Sequence, residues 1–328
     1  MTQPATQPVT QPAIQVIESR TGVAVTRAGP RARRLGRARH GRARRHLQGH
    51  AFLAGAVLCF ALFSWYPMVR EFIMAFQRTR RGRTTWVGWD NLRHIAADPS
   101  FWQAWRNTVA FTLLALLLGF AVPFAIAVLL NEFRHGQAYL RILVFLPVML
   151  PQVASALLFR YFYDPKYGLF NQILHLFQLP GSAWLSSKDT ALLSVVIAAT
   201  WMNMGSATLI YLAALKGIPG ELYEAAELDG AGLLRRIWHV TIPQTRLVLS
   251  LMLLLQVVAT MQMFTEAYML TGGSGPQGST LTVVYLIYNY AFNFNNFGSA
   301  AALGVVMLLV LGAFSGLYLW LERRVQEV

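Results

Sequence analysis

Residues 215–244 read LKGIPGELYEAAELDGAGLLRRIWHVTIPQ and separate two long apolar blocks. This connection is longer and more polar than a turn needs, since most connections take about four to six residues. Outward from it, the chain contains six apolar blocks, at residues 51–69, 108–130, 142–163, 190–215, 247–270 and 299–321. Each is close to the ~20 residues that a helix needs to cross a bilayer. Because backbone polar groups must be satisfied inside lipid, the blocks predict an all-α integral membrane protein with six transmembrane helices.

The composition excludes an ordinary soluble enzyme. The chain is 55% apolar and only 13% charged, whereas a typical soluble domain carries about 25% charged residues. The single cysteine, Cys59, lies inside the first block, so an intrachain disulfide is impossible and a cysteine metal site is not expected. No metal site is predicted.

The positive charge is concentrated in a tail. Ten of the 28 lysine and arginine residues lie within residues 1–50, which we predict to be a disordered, Arg-rich cytoplasmic tail ahead of a transmembrane domain at residues 51–328. A nucleic-acid-binding protein would spread its charge over a folded face, so nucleic acid is not an expected partner. The arginine run is either a plain topology flank or a site for anionic membrane lipid.

The distribution of basic residues also predicts the orientation. The segments that lie inside when the N-terminus is cytoplasmic hold 18 of the 28 lysine and arginine residues. Because cytoplasmic segments carry the excess of basic residues, both termini are predicted to be cytoplasmic, which agrees with an even number of spans. A short apolar stretch at residues 281–292 is predicted to be an interfacial or re-entrant helix on the outer side.

Within the long connection, the residues predict two short helices on the cytoplasmic face. The first covers residues 221–228, and the second covers residues 233–240. Gly230 permits the turn between them, and Pro243 is predicted to restart the chain as the fifth span. Such a helix–turn–helix element is able to dock into a groove on another protein.

The connection carries a spaced motif. The motif begins with Glu224, Ala225 and Ala226, and Gly230 follows after three further residues. After nine more residues it ends in Val240, any residue, Ile242 and Pro243, so that two aliphatic residues precede the proline. This pattern resembles the EAA loop of ABC-importer permeases. Asp229 and Ala231 complete the form seen in the maltose-type branch, although Leu234 and Ile237 stand where that branch usually has aromatic residues.

Further blocks extend the resemblance over roughly residues 50–325. They occur in the family's order, and they include Gly88, Asn91, Asp98, Pro99, Asn107, Pro147, Pro151, Asp164, Pro165, Gly168, Asn171, Thr271, Gly272, Gly273, Tyr285 and Tyr288. Residues 1–50 lie outside it.

The resemblance implies a membrane subunit of an ATP-driven sugar importer in the bacterial plasma membrane. It implies a second, homologous permease subunit, an ABC ATPase dimer and an extracytoplasmic solute-binding protein as partners. By the same resemblance, Glu224 makes the charged contact to the ATPase and Gly230 sets the bend. The other coupling positions are Ala225, Ala226, Asp229, Ala231 and Pro243.

The chain itself lacks the residues for ATP hydrolysis by a P-loop. That motif needs Gly-Lys followed by Ser or Thr, but Lys166, Lys188 and Lys216 follow Pro165, Ser187 and Leu215. We therefore expect no enzyme activity and no cofactor in this chain, with ATP bound by the partner ATPase.

Polar residues inside the predicted spans are candidates for a solute pathway, because they are costly in lipid and usually face a cavity or another helix. They are Asn203 in the fourth span and Gln256 and Thr260 in the fifth. Phe264 and Tyr268 are candidates for stacking on a sugar ring. The alternative for each residue is packing or hydrogen bonding between helices. The donors and acceptors suit a neutral, hydroxylated solute.

Three other functions stay open from the residues alone. An ion-coupled secondary transporter usually shows internal repeats, broken helices and intramembrane acids, and Glu266 is the only acid considered for such a role. A scaffold that binds a cytoplasmic partner is the second. The third is an ABC importer permease for a non-sugar solute, since other importers also carry an EAA loop.

Overall fold

The computed structural model describes residues 53–80, 82–132 and 136–326. The predicted cytoplasmic tail, residues 1–50, lies outside the described residues. The chain divides into two units, residues 1–64 and 65–328. Residues 53–64, the described part of the first unit, are helical, and the sites below lie in the second unit.

The described residues are mainly helical, which confirms the predicted fold class. The helices are α1 (Leu53–Ala75), α2 (Asp90–Ala97), α3 (Pro99–Glu132), α4 (Gln137–Met149), α5 (Gln152–Phe162), α6 (Leu169–Leu176), α7 (Ala191–Lys216), α8 (Gly220–Leu228), α9 (Leu233–Met261), α10 (Thr265–Thr271), α11 (Val283–Tyr288) and α12 (Phe297–Gln326). Among the described residues, five helices are long and apolar enough to cross a membrane, or six spans result if α4 and α5 form one broken span. A small antiparallel hairpin of β1 (Gln77–Arg80) and β2 (Arg83–Trp86) follows α1.

The third predicted span is not one straight helix. Helices α4 and α5 meet at an angle of 97°. Leu150 is extended at φ −75° and ψ 141°, as expected for a residue whose helical conformation is hindered by a following proline. Pro151 then begins the new direction at φ −55° and ψ 129°. Pro151 therefore breaks the predicted span into two helices.

The structure also corrects the fifth span at both of its ends. The predicted second short helix and the restart at Pro243 are wrong, because α9 runs without a break from Leu233 to Met261. A π-helical turn at Ile237–Thr241 ends two residues before the proline, and local π-helical geometry re-pairs backbone groups near a residue that cannot donate. At the other end, the block predicted to reach residue 270 stops at Met261, and α10 starts a separate helix at Thr265.

The stretch at residues 281–292 is a short helix, α11, that continues in a π-helical turn at Asn289–Asn293. Val283, Tyr285 and Leu286 are buried in one apolar cluster with residues of α12. The segment therefore packs against α12, and its interfacial or re-entrant position on the outer side stays a prediction.

Three asparagines of the sequence blocks hold loops in place. The buried Asn91 amide donates to the carbonyls of Ala75 and Gln77 at 2.9 and 2.8 Å. Asn107 donates to Gly278 and Leu281, and Asn171 donates to Pro165 and Ser182. Because one amide serves two backbone carbonyls each time, these residues stabilise the loops that they bridge.

Helix packing positions α3 beside α7. The buried Tyr211 ring on α7 contacts Phe120 and Phe124 of α3 edge to face, with ring centroids 5.7 and 5.6 Å apart. Each such pair contributes about 0.5–1.5 kcal/mol beyond the buried area. Helix α9 also contacts both of these helices. The three helices surround the cavity described next.

Candidate functional site

A cavity of about 330 Å³ lies among α3, α7, α9 and the start of α10. Its volume is at the lower end of the range for small-molecule sites. Helix α3 contributes Phe111, Ala115 and Gly119, and the break between α4 and α5 places Gln152 at the edge. The break between α9 and α10 supplies a further wall at residues 262–266. Both helix breaks thus contribute to the cavity.

The structure brings four of the five predicted pathway residues together. Asn203, Gln256, Thr260 and Phe264 all line this cavity. Tyr268 does not, because the helix break at residues 262–264 carries it to a second cavity of about 500 Å³ with Arg160 and Thr271. Its ring stacks on Phe264 with centroids 5.4 Å apart and planes at 14°. The two cavities are therefore joined through an aromatic pair.

The hydrogen bonds of the lining residues leave mainly acceptors for a solute. The Asn203 amide donates to the Ala199 carbonyl at 2.9 Å. The Thr260 hydroxyl donates to the backbone carbonyl of Gln256 at 2.8 Å, and the Gln262 amide donates to the backbone carbonyl of Val258 at 3.1 Å. Each residue uses one donor on its own helix; the two amides keep a second N–H, and all three residues keep their side-chain oxygen lone pairs. A solute rich in hydroxyl donors matches this arrangement.

Gln256 depends on a small neighbour. A Cβ atom at Gly119 would lie 2.8 Å from the Gln256 side-chain nitrogen. The same nitrogen lies 3.5 Å from the Ala115 carbonyl, at the limit of a hydrogen bond. The absence of a side chain at Gly119 therefore leaves space for the Gln256 amide on the α3 side of the cavity.

Glu266 is the only charged residue among those that line the cavity within the described part of the chain. Its carboxylate accepts a hydrogen bond from the Gln152 amide at 3.2 Å. The sequence interpretation did not single out Gln152 or Thr200, which also line the cavity. The sequence feature that could have identified Gln152 is its position directly after Pro151. Where a proline breaks a span, the first turn of the following helix is exposed.

At the opposite end of α9, the polar loop ends α8 in a regular cap. Gly230 has φ +74°, a left-handed conformation that glycine adopts at little cost. Its N–H donates to the Glu227 carbonyl at 2.9 Å, and the Ala231 N–H donates to Ala226 at 2.9 Å. This pair of bonds is the Schellman motif, with Gly230 at the left-handed position. Asp229 is the C-cap residue of α8.

The motif residues of this loop are largely on its surface. Glu224, Ala225 and Pro243 are exposed, while Ala226 and Ala231 are partly buried. Beside them lie large apolar side chains that the sequence interpretation missed: Leu228, Leu234 and Trp238 are 90%, 73% and 67% exposed. Large exposed apolar side chains beside the polar motif residues suit contact with another protein or with the membrane surface.

Comparisons with known proteins agree with these features. The family model described as binding-protein-dependent transport system inner membrane component matches residues 119–327. The arabinooligosaccharides transport system permease protein of Bacillus subtilis is 32% identical over 267 residues, which cover 80% of this chain and 84% of that protein. The trehalose/maltose transport system permease protein of Thermococcus litoralis is 30% identical, covering 84% of this chain and 93% of that protein.

A solved structure shows the same fold. It is a chain of a bacterial ABC transporter involved in the import of the acidic polysaccharide alginate, with a TM-score of 0.72 and 23% identity, covering 86% of this chain and 96% of that one. The relatives are transport permeases and not enzymes. The chain therefore belongs to the family of binding-protein-dependent transport system inner membrane components, as a multi-pass permease of an ABC transporter in the plasma membrane.

Proposed function

We propose that this chain forms the membrane pathway of an ATP-driven importer for a neutral sugar or oligosaccharide. The observation that carries the proposal is the cavity among α3, α7 and α9, where the polar residues present acceptor oxygens. Sugars are rich in hydroxyl donors, and Phe264 offers a ring face for a pyranose. The names of the relatives support the substrate class, since they include permeases for arabinooligosaccharides and trehalose/maltose.

The charge of the cavity favours a neutral substrate. Glu266 contributes a carboxylate, and no lysine or arginine is among its described lining residues. A carboxylate repels an acidic sugar and accepts hydrogen bonds from hydroxyl groups. The alginate importer shares the fold, so the lining side chains and not the fold would set this difference.

The second part of the proposal is coupling through the loop around α8. Glu224, the exposed Leu228 and the exposed Trp238 form the surface that docks into a groove on an ABC ATPase subunit. A second permease subunit completes the pathway, and a solute-binding protein delivers the sugar; an alginate importer has been solved in complex with such a periplasmic protein. Import then proceeds by alternating access, which requires nucleotide and partners to bind the two states with different affinity.

The test is an affinity purification of the tagged chain from its native membrane in mild detergent. Recovery of a second permease, a P-loop ATPase and a solute-binding protein is the expected result. The ATPase activity of that complex is then measured with a panel of neutral and acidic oligosaccharides. Recovery of the chain alone, folded and stable, would contradict the proposal, and stimulation only by a non-sugar solute would contradict the substrate class.

A further inference from the structure

Arg236 joins three parts of the cytoplasmic side. Its guanidinium forms ion pairs with Glu132 at 3.2 Å and with Glu227. These are the two ion pairs found within residues 53–80, 82–132 and 136–326, and both use Arg236. Glu132 is the last residue of α3, Glu227 lies on α8, and Arg236 itself lies in the first turn of α9. One side chain thus connects the loop to two membrane helices.

The exposure of the three side chains makes this connection stronger than an ordinary surface pair. The Arg236 side chain is only 14% exposed, while Glu132 and Glu227 are 38% and 61% exposed. A buried guanidinium is costly unless carboxylates pair with it, and the planar fork of arginine can serve two carboxylates at once. Separating α8 from the end of α3 would therefore leave a poorly compensated cation.

The connection leads from the loop to the cavity. Helix α3 carries Glu132 at its cytoplasmic end and contributes Gly119 to the cavity lining. Thirteen residues of helix separate the two positions, which is about 20 Å. A hydrogen bond of 3.1 Å between the Tyr223 and Thr241 hydroxyls also connects α8 to α9. It does not involve α3.

We propose that Arg236 is a positioning residue that transmits displacement of the coupling loop to α3, and so to the cavity, through Glu132. This inference rests on the proposed function. It assigns to Glu132, outside the EAA motif, a role in coupling ATP hydrolysis to transport. Glu227 holds the arginine on the loop side, and Glu132 holds it on the membrane side.

The experiment uses the purified complex with its own ATPase and solute-binding protein, reconstituted in liposomes. The variants are Glu132→Gln, which cuts only the membrane side of the connection, Arg236→Gln, and the double variant. Arg235→Gln and Glu221→Gln are matched controls. Arg235 lies on α9 beside Arg236, and Glu221 lies on α8 with Glu227; both are exposed and form no ion pair with described residues. The readouts are sugar taken up per ATP hydrolysed, complex yield and melting temperature.

We expect Glu132→Gln to lower uptake per ATP by a factor between about 2 and 30, the range for residues that couple distant sites. Complex yield should not change, and the double variant should resemble the worse single variant. An unchanged ratio in Glu132→Gln, or an equal loss in the controls, would overturn the inference. A fall in yield or melting temperature with a normal ratio would overturn it too, since the connection would then be only structural. Glu224→Lys distinguishes the two levels: if it releases the ATPase while Glu132→Gln behaves normally, only this inference fails.

Discussion

Gly230 offers the sharpest test of the loop, because the structure separates conformation from contact at this position. Its φ is +74°, yet a Cβ atom placed on it would meet nothing within 4 Å. An alanine there would be strained only by its backbone, at a cost of about 1–2 kcal/mol. That cost reduces the population of the capped loop by a factor of about 5–30. We therefore expect Gly230→Ala to reduce uptake and recovery of the ATPase.

Gly232 is the matched control for this variant. It is also exposed with nothing within 4 Å of a Cβ atom, but its φ is −69° and its ψ is 171°. This extended conformation suits any residue, so Gly232→Ala should lose less uptake and less bound ATPase than Gly230→Ala, with only the smaller cost of an alanine at the N-cap of α9.

Asparagine provides the complementary rescue, since it tolerates the left-handed region better than other residues with a side chain. Gly230→Asn should therefore keep more uptake and more bound ATPase than Gly230→Ala, although its side chain is larger. Uptake into proteoliposomes and the amount of co-purified ATPase measure both effects. If asparagine is as damaging as alanine, or if Gly232→Ala is equally damaging, the backbone argument is wrong and the glycine serves a close contact.

Three further predictions concern the cavity and the docking surface. Gln256→Leu should lower sugar uptake about fivefold at unchanged complex yield, because one hydrogen bond of about 1 kcal/mol is lost; unaffected uptake would remove the residue from the pathway. Glu224→Lys should release the ATPase during purification, whereas Glu221→Lys on the same helix should not; equal effects would argue against a specific contact. Glu266→Gln should raise uptake of acidic oligosaccharides relative to neutral ones. The reason is that two like charges roughly 5 Å apart repel by about 3 kcal/mol at an effective dielectric constant of about 20. An unchanged ratio of acidic to neutral uptake would refute the charge argument.

The sequence was sufficient for the helices and for the loop, because both depend on local rules. Long apolar runs demand helices in lipid, and six such runs correspond to the five long helices and the broken pair α4 and α5. Gly230 was assigned a turn from its freedom of φ, and it is found at the left-handed cap of α8. The predicted orientation of the termini stays a prediction.

The errors came from prolines and from breaks, where the neighbours decide the outcome. Pro151 ends a helix, whereas Pro243 lies inside a continuous one. A π-helical turn at Ile237–Thr241 accompanies the continuous helix, and no single-residue preference indicates it. The break after Met261 is hidden by continued apolar residues, and it places Tyr268 outside the cavity among α3, α7 and α9. Patterns of hydropathy give the length of a span but not the direction of its chain.

The continuity of α9 changes how the two parts of the site relate. Its 29 residues extend about 43 Å at 1.5 Å per residue. Trp238, at its loop end, belongs to the proposed docking surface, and Gln256 and Thr260, near its other end, line the cavity. A helix restarted at Pro243 would need further contacts to carry a displacement across the joint. In the proposed mechanism an unbroken helix carries it directly, so a shift of the loop and a change of the cavity wall become motions of one element, and Arg236 extends the same displacement to α3.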